Sequence, residues 1–190
     1  ISETLFLARS RMQRLPFDPG PLDLREFCEQ TVADHEESQR LRVQCAPERF
    51  PVIADALRLR QALDNLLSNA LKYSDGPVVV RLIAGPQNYL VEVSDEGIGI
   101  PADDQAGIFE PFFRASNTGS KPGHGLGLSI VKSCIEQHGG TIHFSSAAGK
   151  GTTFFLEVPK APTPSAERPL GTWEPERAPR RAGTVAAPPA

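Results

Sequence analysis

The chain has 190 residues, 39% of them apolar, and its 20 Lys+Arg against 23 Asp+Glu leave a formal net charge of −3. That length suits one domain of about 150 residues plus tails, and the balanced charge, without a Lys/Arg stripe, excludes the footprint of a nucleic-acid binder. Three widely spaced cysteines (Cys28, Cys45, Cys134) form no CxxC pair and read as inert thiols of a reducing compartment. No apolar run reaches the roughly eighteen residues of a membrane span, and no stretch of this sequence reads as a signal peptide. A chain that opens at Ile1 is expected to be a fragment.

Taken in order, Ile1–Leu15 shows a helical stripe of Ile1, Leu5, Ala8, Met12 and Leu15, which needs a partner to be stable. Pro16–Pro21 reads as a linker, and a second amphipathic segment runs over Leu24–Gln39. Short strands fit Arg42–Ala46 and Pro51–Ala54. The strongest helix is Leu57–Tyr73, where Leu59, Leu63, Leu66, Leu67 and Ala70 share one face. Beside that face Asn65, Asn69 and Lys72 form a second stripe, an unusual use of asparagine in a helix. Val78–Ile83 and Tyr89–Val93 make a hairpin, Leu126–His138 a helix stopped by Gly139-Gly140, and Thr141–Ser145 with Thr152–Val158 a last hairpin. Eight of the eighteen prolines fall in the last 32 residues, so residues 160–190 read as a disordered tail. This order predicts an α+β two-layer sandwich with helices on one face of a mixed, mostly antiparallel sheet.

Chemistry concentrates between Val93 and Lys132. A strand delivers Asp95 to a first glycine pair, Gly97 and Gly99, and a second cluster, Gly123, Gly125 and Gly127, runs into a helix. Glycines let backbone N–H groups approach a ligand, and a helix N-terminus favours anions. The simplest reading is a phosphate-bearing ligand held between an acid and a helix start, under the cover of Pro101–Pro122. A dinucleotide loop is excluded because Ala102 stands where its third glycine belongs, and a phosphate loop ending at Gly149 because Phe144 replaces its first glycine. His35, His124, His138 and His143 have no metal spacing, and no nucleophile motif is present.

The order of pieces resembles the catalytic domain of two-component sensor histidine kinases. Asn65-Leu-Leu-Ser-Asn69-Ala-Leu-Lys-Tyr73 is similar to their N box, Asp95-Glu-Gly-Ile-Gly99 to G1 and Phe109-Glu-Pro-Phe-Phe-Arg114 to the F box. Gly123-His-Gly-Leu-Gly-Leu128 looks like G2, and Gly149-Lys-Gly-Thr-Thr-Phe154 like the last glycine motif. The resemblance implies the Bergerat ATP-binding fold shared with gyrase-, Hsp90- and MutL-type ATPases. It implies ATP and Mg²⁺ as cofactors, Asp95 on the adenine amino group, and Asn69 as the Mg²⁺ ligand. Lys72 and Arg114 would face phosphate oxygens and, with Asn65, make up the catalytic group. Tyr73, Gly97, Gly99, Ile100, Gly123, His124, Gly125, Leu126, Gly127, Leu128 and Thr152 would complete the nucleotide site. Phe109, Phe112 and Phe113 would anchor the lid.

It further implies that residues 1–15 end a dimerisation helix, 16–21 link it, and 22–159 form the catalytic domain. The expected function is transfer of the ATP γ-phosphate to a histidine on a dimerisation domain, for relay to a response-regulator aspartate. No histidine here has the acceptor context; His35 is followed by Glu-Glu-Ser. The expected partners are therefore that domain of the same protein, a response regulator and, at full length, a second copy. The expected location is cytoplasmic, with any plasma-membrane anchor in segments outside this sequence. The alternatives are a GHKL-type ATPase, a module that binds ATP without transfer, and an anti-sigma serine kinase relative. The ATPase branch places a glutamate one turn before the Mg-binding asparagine, a position held here by Asn65, which cannot take a proton.

Overall fold

The computed structural model describes residues 16–160. The helix expected over Ile1–Leu15 and the tail expected beyond Lys160 lie outside the described residues. Among those described, no helix is long and apolar enough to cross a membrane.

Among the described residues there are thirteen short and long elements, of which seven strands and three α-helices carry the architecture. β1 (Gly20–Asp23) leads into α1 (Leu24–Ala33), followed by β2 (Leu41–Gln44) and β3 (Pro51–Ala54). Then come α2 (Ala56–Tyr73), β4 (Val78–Ala84), β5 (Asn88–Asp95), α3 (Gly127–Gln137), β6 (Thr141–Ser146) and β7 (Thr152–Pro159). Five strands form one sheet in the order β2-β4-β5-β7-β6, parallel only between β2 and β4. β1 and β3 pair antiparallel as a separate ribbon. Val78, Val80, Leu82, Tyr89, Val91, Val93, Phe154, Leu156 and Val158 alternate onto the inner face of the sheet and share one core with the helices. The outer face stays wet, with an Arg81–Glu92 ion pair across β4 and β5 and His143 stacked on Phe155. This is the two-layer α+β sandwich that the hydrophobic patterning predicts.

The differences have local causes. Gly20 and Pro21, read as linker, belong to β1, where Pro21 stands opposite Ile53. A two-stranded ribbon tolerates proline because one side of each strand faces solvent. α1 ends at Ala33 instead of reaching Gln39, because Val32 is the last buried side chain and the following Asp-His-Glu-Glu-Ser has no apolar face to bury. β2 begins one residue earlier than expected, at the buried Leu41. Burial pushes the Cys28 thiol up to about 12 and the Cys134 thiol up to about 11, and all three cysteines are free, as an inert role requires.

α2 is fixed at both ends. At its start the buried Asp55 caps the helix, accepting from Arg58 N at 3.1 Å, and also pairs with the Arg58 guanidinium at 3.4 Å and accepts from Asp18 N at 3.1 Å. His138, at the end of α3, accepts the Asp55 N–H at 2.9 Å and bonds the Cys134 carbonyl at 2.6 Å, so the two helices are tied together. At its end, Arg40 donates to Ser74 O at 2.6 Å and Gly76 O at 3.1 Å just past the helix, with a longer contact at 3.4 Å to Leu71 O, a last-turn carbonyl that the helix terminus leaves unpaired. Asp55 is therefore a sensitive point. Burial opposes its charge, but the backbone N–H groups of Asp18 and Arg58 and the Arg58 cation outweigh that and hold its carboxyl below the usual range. Asp55→Ala should cost about 2–4 kcal/mol, combining a lost cap with a broken buried pair, read as a lower denaturant midpoint. Because the folded-state value is the lower one, this stability is complete above the ordinary carboxylate range. It should be lost as pH falls through the lowered value, and the parent and variant curves should converge in acid.

Candidate functional site

A cavity of about 670 Å³ opens between α2, the ends of β5 and β7, the start of α3 and the loop over 101–122. α2 lines it with Asn65, Asn69, Lys72 and Tyr73, and the strand ends contribute Asp95, Gly99, Ile100 and Thr152. Gly123, His124, Gly125, Leu126, Gly127 and Leu128 form the wall leading into α3, and Arg114 enters from the loop. Every site residue named from the sequence reaches this cavity except Gly97. A Cβ at Gly97 would lie 2.3 Å from the Tyr73 carbonyl oxygen, so glycine is needed there for close approach. Its N–H donates to Asp95 Oδ1 at 2.8 Å. Gly97 thus shapes the site from behind and is not a lining residue.

Asp95 ends β5 opposite Thr152, the first residue of β7. Burial pushes its carboxyl above the usual range, against the backbone N–H groups of Gly97 and Thr152 that favour its charge. It is half-buried in a largely apolar recess with Ile98, Ile100, Ile108 and Phe154. Such a recess suits a flat aromatic ring carrying one hydrogen-bond donor.

The opposite end is polar. Leu126 precedes α3 without giving it a side-chain cap, so the first N–H groups of that helix have no such partner. They face the asparagine stripe of α2. A Cβ at Gly127 would stand 3.2 Å from Asn65 Oδ1 and 3.7 Å from Asn69 Nδ2, so a side chain there would crowd Asn65. Asn65 donates to Gln61 O at 2.7 Å, leaving its oxygen toward Gly127. The neighbouring acid, Asp64, is paired with Arg60 at 3.1 Å, and Arg60 also holds Asp34 at 3.0 Å.

The two cations expected to meet phosphate are occupied by backbone. Lys72 Nζ donates to Pro122 O and lies 4.6 Å from the centre of the Tyr73 ring. Arg114 donates to Lys121 O at 2.7 Å and Gly123 O at 3.2 Å, with longer contacts to Gly119 O and Thr118 Oγ1 at 3.4 Å. Lys121 Nζ in turn donates to Lys72 O. The aromatic anchors divide. Phe109 packs edge-on to Phe144 and Phe154 at 5.8 and 6.5 Å, and Phe113 lies over Gly107. Phe112 does not anchor: it is 66% exposed, with φ of 66°, because its N–H turns in to reach Gly125 O at 2.8 Å. Sequence reading also missed Gln61 and Asn117. Gln61 lies one turn before Asn65 on the same stripe, a spacing that could have found it; Asn117 sits in a loop without periodicity.

Residues 54–162 match the family described as histidine kinase-, DNA gyrase B- and HSP90-like ATPases. The sensor-like histidine kinase SenX3 of Mycolicibacterium smegmatis is 36% identical over 173 residues, covering 86% of this chain and 45% of that protein. The probable sensor histidine kinase TcrY of Mycobacterium tuberculosis is 34% identical over 189 residues, covering 95% of this chain and 37% of that protein. The chain thus spans less than half the length of these relatives. Among solved structures, the mycobacterial sensor histidine kinase MprB superposes with a TM-score of 0.67 at 31% identity, covering 76% of this chain and all of that one. The catalytic domain of the histidine kinase ThkA gives 0.65 at 28% identity, covering 76% of this chain and 99% of that one. The glycine-led helix start, the half-buried acid and the asparagine stripe occur together in a domain of this shape, and the family match takes in more than half of the chain. The chain belongs to the histidine kinase-, DNA gyrase B- and HSP90-like ATPase family, as a catalytic ATP-binding domain of the sensor histidine kinase type.

Proposed function

We propose that this domain binds Mg-ATP in the 670 Å³ cavity and presents the γ-phosphate to a histidine on a separate dimerisation domain, for onward transfer to a response-regulator aspartate. The observation that carries the reading is the polarity of the cavity, with a carboxylate in an apolar recess at one end and free helix N–H groups at the other. Asp95 would accept from the exocyclic amine of adenine and meet the oxygen of guanine with repulsion. The N-terminus of α3 would hold phosphate oxygens. Lys72 and Arg114 would then exchange lid carbonyls for phosphate, placing two positive charges where transfer develops negative charge. Asn65 and Asn69 offer neutral oxygens beside that end.

Those oxygens fit a magnesium ion that arrives with the nucleotide. Among the described residues no group of three or more His, Cys, Asp or Glu could hold a metal by itself. Mg²⁺ commonly keeps waters and phosphates as ligands with few from protein, so Asn69, aided by Asn65, is a sufficient protein share. The ion when bound would neutralise phosphate charge.

All four histidines lie among the described residues, and none has the sequence context expected of a phosphoacceptor. His138 has both ring nitrogens engaged, and His143 stacks on Phe155 outside the sheet. A dimerisation domain and a second copy of the chain are accordingly part of the proposal, as is a cytoplasmic location.

Two outcomes test the reading. Calorimetry should show ATP bound in preference to GTP, and Asp95→Ala should weaken ATP by about 2–3 kcal/mol, roughly 30–150-fold. Because burial raises the Asp95 carboxyl, parent affinity should fall at a higher pH than an ordinary aspartate would give, and Asp95→Asn should be flat through that window. Equal affinities in parent and Asp95→Ala would remove Asp95 from the base pocket. The second outcome concerns water. Asn65 cannot act as a base and Asp64 is tied to Arg60, so the parent should hydrolyse ATP negligibly. Asn65→Glu should raise turnover measurably while still binding ATP, since a positioned base is worth about 10²–10⁴-fold. Brisk hydrolysis by the parent would promote the ATPase alternative.

A further inference from the structure

We propose that Asn117 is a positioning residue for the nucleotide: it clasps the outer half of the lid onto the loop that carries Asp95, and so sets how long a nucleotide stays bound. The proposal rests on the nucleotide-binding reading above. The lid over 101–122 has two unlike halves. Its inner half is anchored at a few points by apolar packing and backbone-directed hydrogen bonds. Ile108 is 5% exposed, Phe109 packs on Phe144 and Phe154, and Gln105 donates to the carbonyls of Ile100 and Ser146, both at 3.1 Å. The outer half, 114–122, has no buried residue, and its contacts are mainly polar.

Most of those contacts belong to groups that phosphate would claim. Lys72 and Arg114 spend their donors on the carbonyls of Gly119, Lys121, Pro122 and Gly123, and a bound phosphate competes for both cations. Asn117 is different. Its Nδ2 donates to Gly99 O at 2.9 Å and to Ile98 O at 3.3 Å, and no charge is involved. Both acceptors lie on a loop that cannot easily move. Ile98 N donates to Tyr73 O at 3.1 Å, Gly149 N donates to Ile98 O at 2.8 Å, and Ile100 N donates to Ser146 Oγ at 2.9 Å. The presenting turn is fixed as well, because Asp104 Oδ2 accepts both the N–H and the hydroxyl of Ser116 at 2.7 Å.

The side chain suits the task. One amide nitrogen carries two N–H donors and serves two carbonyls at once; a hydroxyl has one donor, and a carboxylate would repel both acceptors. Asn117 also lines the cavity, so the clasp closes over the space a nucleotide would fill. When phosphate takes Lys72 and Arg114 from the lid, this neutral clasp stays as the tie between the outer half and the loop that carries Asp95. Nucleotide release then requires it to open.

The test uses the 190-residue chain with Asn117→Ala and Asn117→Asp, both at an exposed position that should leave the fold intact. Amide hydrogen exchange without nucleotide should quicken in residues 114–122 and stay unchanged in α2 and α3. Stopped-flow release of a fluorescent ATP analogue should speed up about 5–10-fold in Asn117→Ala, equivalent to about 1–1.4 kcal/mol, with the thermal midpoint unmoved. Asn117→Asp should release faster still at neutral pH. In acid, where the introduced carboxyl gains a proton and can donate once, its rate should no longer exceed that of Asn117→Ala at the same pH. Release at the parent rate in both variants would overturn the proposal, as would a ratio of Asn117→Asp to Asn117→Ala rates that does not change with pH. Unchanged exchange over 114–122 would overturn the clasp while leaving the nucleotide reading intact. A parent that binds no analogue would overturn the nucleotide reading itself and the role in residence with it.

Discussion

The site depends on how closely the end of α2 approaches the loop after β5. The Tyr73 carbonyl accepts the Ile98 N–H at 3.1 Å, and the space between them admits no Cβ at Gly97. That contact sets Asp95 against the helix that carries Asn65, Asn69 and Lys72, so one rigid unit holds both ends of the cavity. Arg40 supports it from outside by bonding the carbonyls of Ser74 and Gly76. At the far end of α2, Asp55 and His138 lock the helix to α3, whose first turn forms the anion end. A change at either lock would alter the separation between acid and helix start, which is the dimension a nucleotide must match.

The lid works on a different principle. Its inner half is anchored by the apolar packing of Ile108 and Phe109, which changes little with ligand or salt. Its outer half is held by cations on carbonyls, by the Asp104 carboxylate on Ser116 and by the Asn117 carboxamide, contacts that can be exchanged at small cost because each hydrogen bond lost is replaced by another. A protein that must open for exchange and close for transfer gains from this division, since apolar contacts would make opening slow and free cations would leave the empty site strongly charged. Phe112, exposed and in a left-handed backbone conformation, marks where the chain turns between the two halves.

Much of this was legible in the sequence where periodicity and local chemistry agree. Leu59, Leu63, Leu66, Leu67 and Ala70 announced both α2 and its buried face, and the asparagine stripe beside them lines the cavity. The alternation through Val91 and Val93 delivered Asp95 to its place. Signals failed where structure is set by distant partners. β1 contains a proline and makes sense only beside β3. Gly97 resembled a ligand contact but is required by a carbonyl from another element, Tyr73. Phe112 looked like its two neighbours, yet a hydrogen bond to Gly125 turns it out. Asn117 carried no signal at all, because a lone amide in an aperiodic loop acquires meaning only from the carbonyls it meets.

The central claim is that a nucleotide lies along the cavity with its base at Asp95 and its phosphates at the start of α3. A structure of the chain with magnesium and a non-hydrolysable ATP analogue tests it most directly. The account predicts the adenine amine within hydrogen-bond distance of Asp95, phosphate oxygens on the N–H groups of Gly127 and Leu128, and Lys72 and Arg114 turned from the lid carbonyls to phosphate. A nucleotide bound in the reverse sense, or one that leaves Asp95 and the α3 terminus untouched, would contradict it.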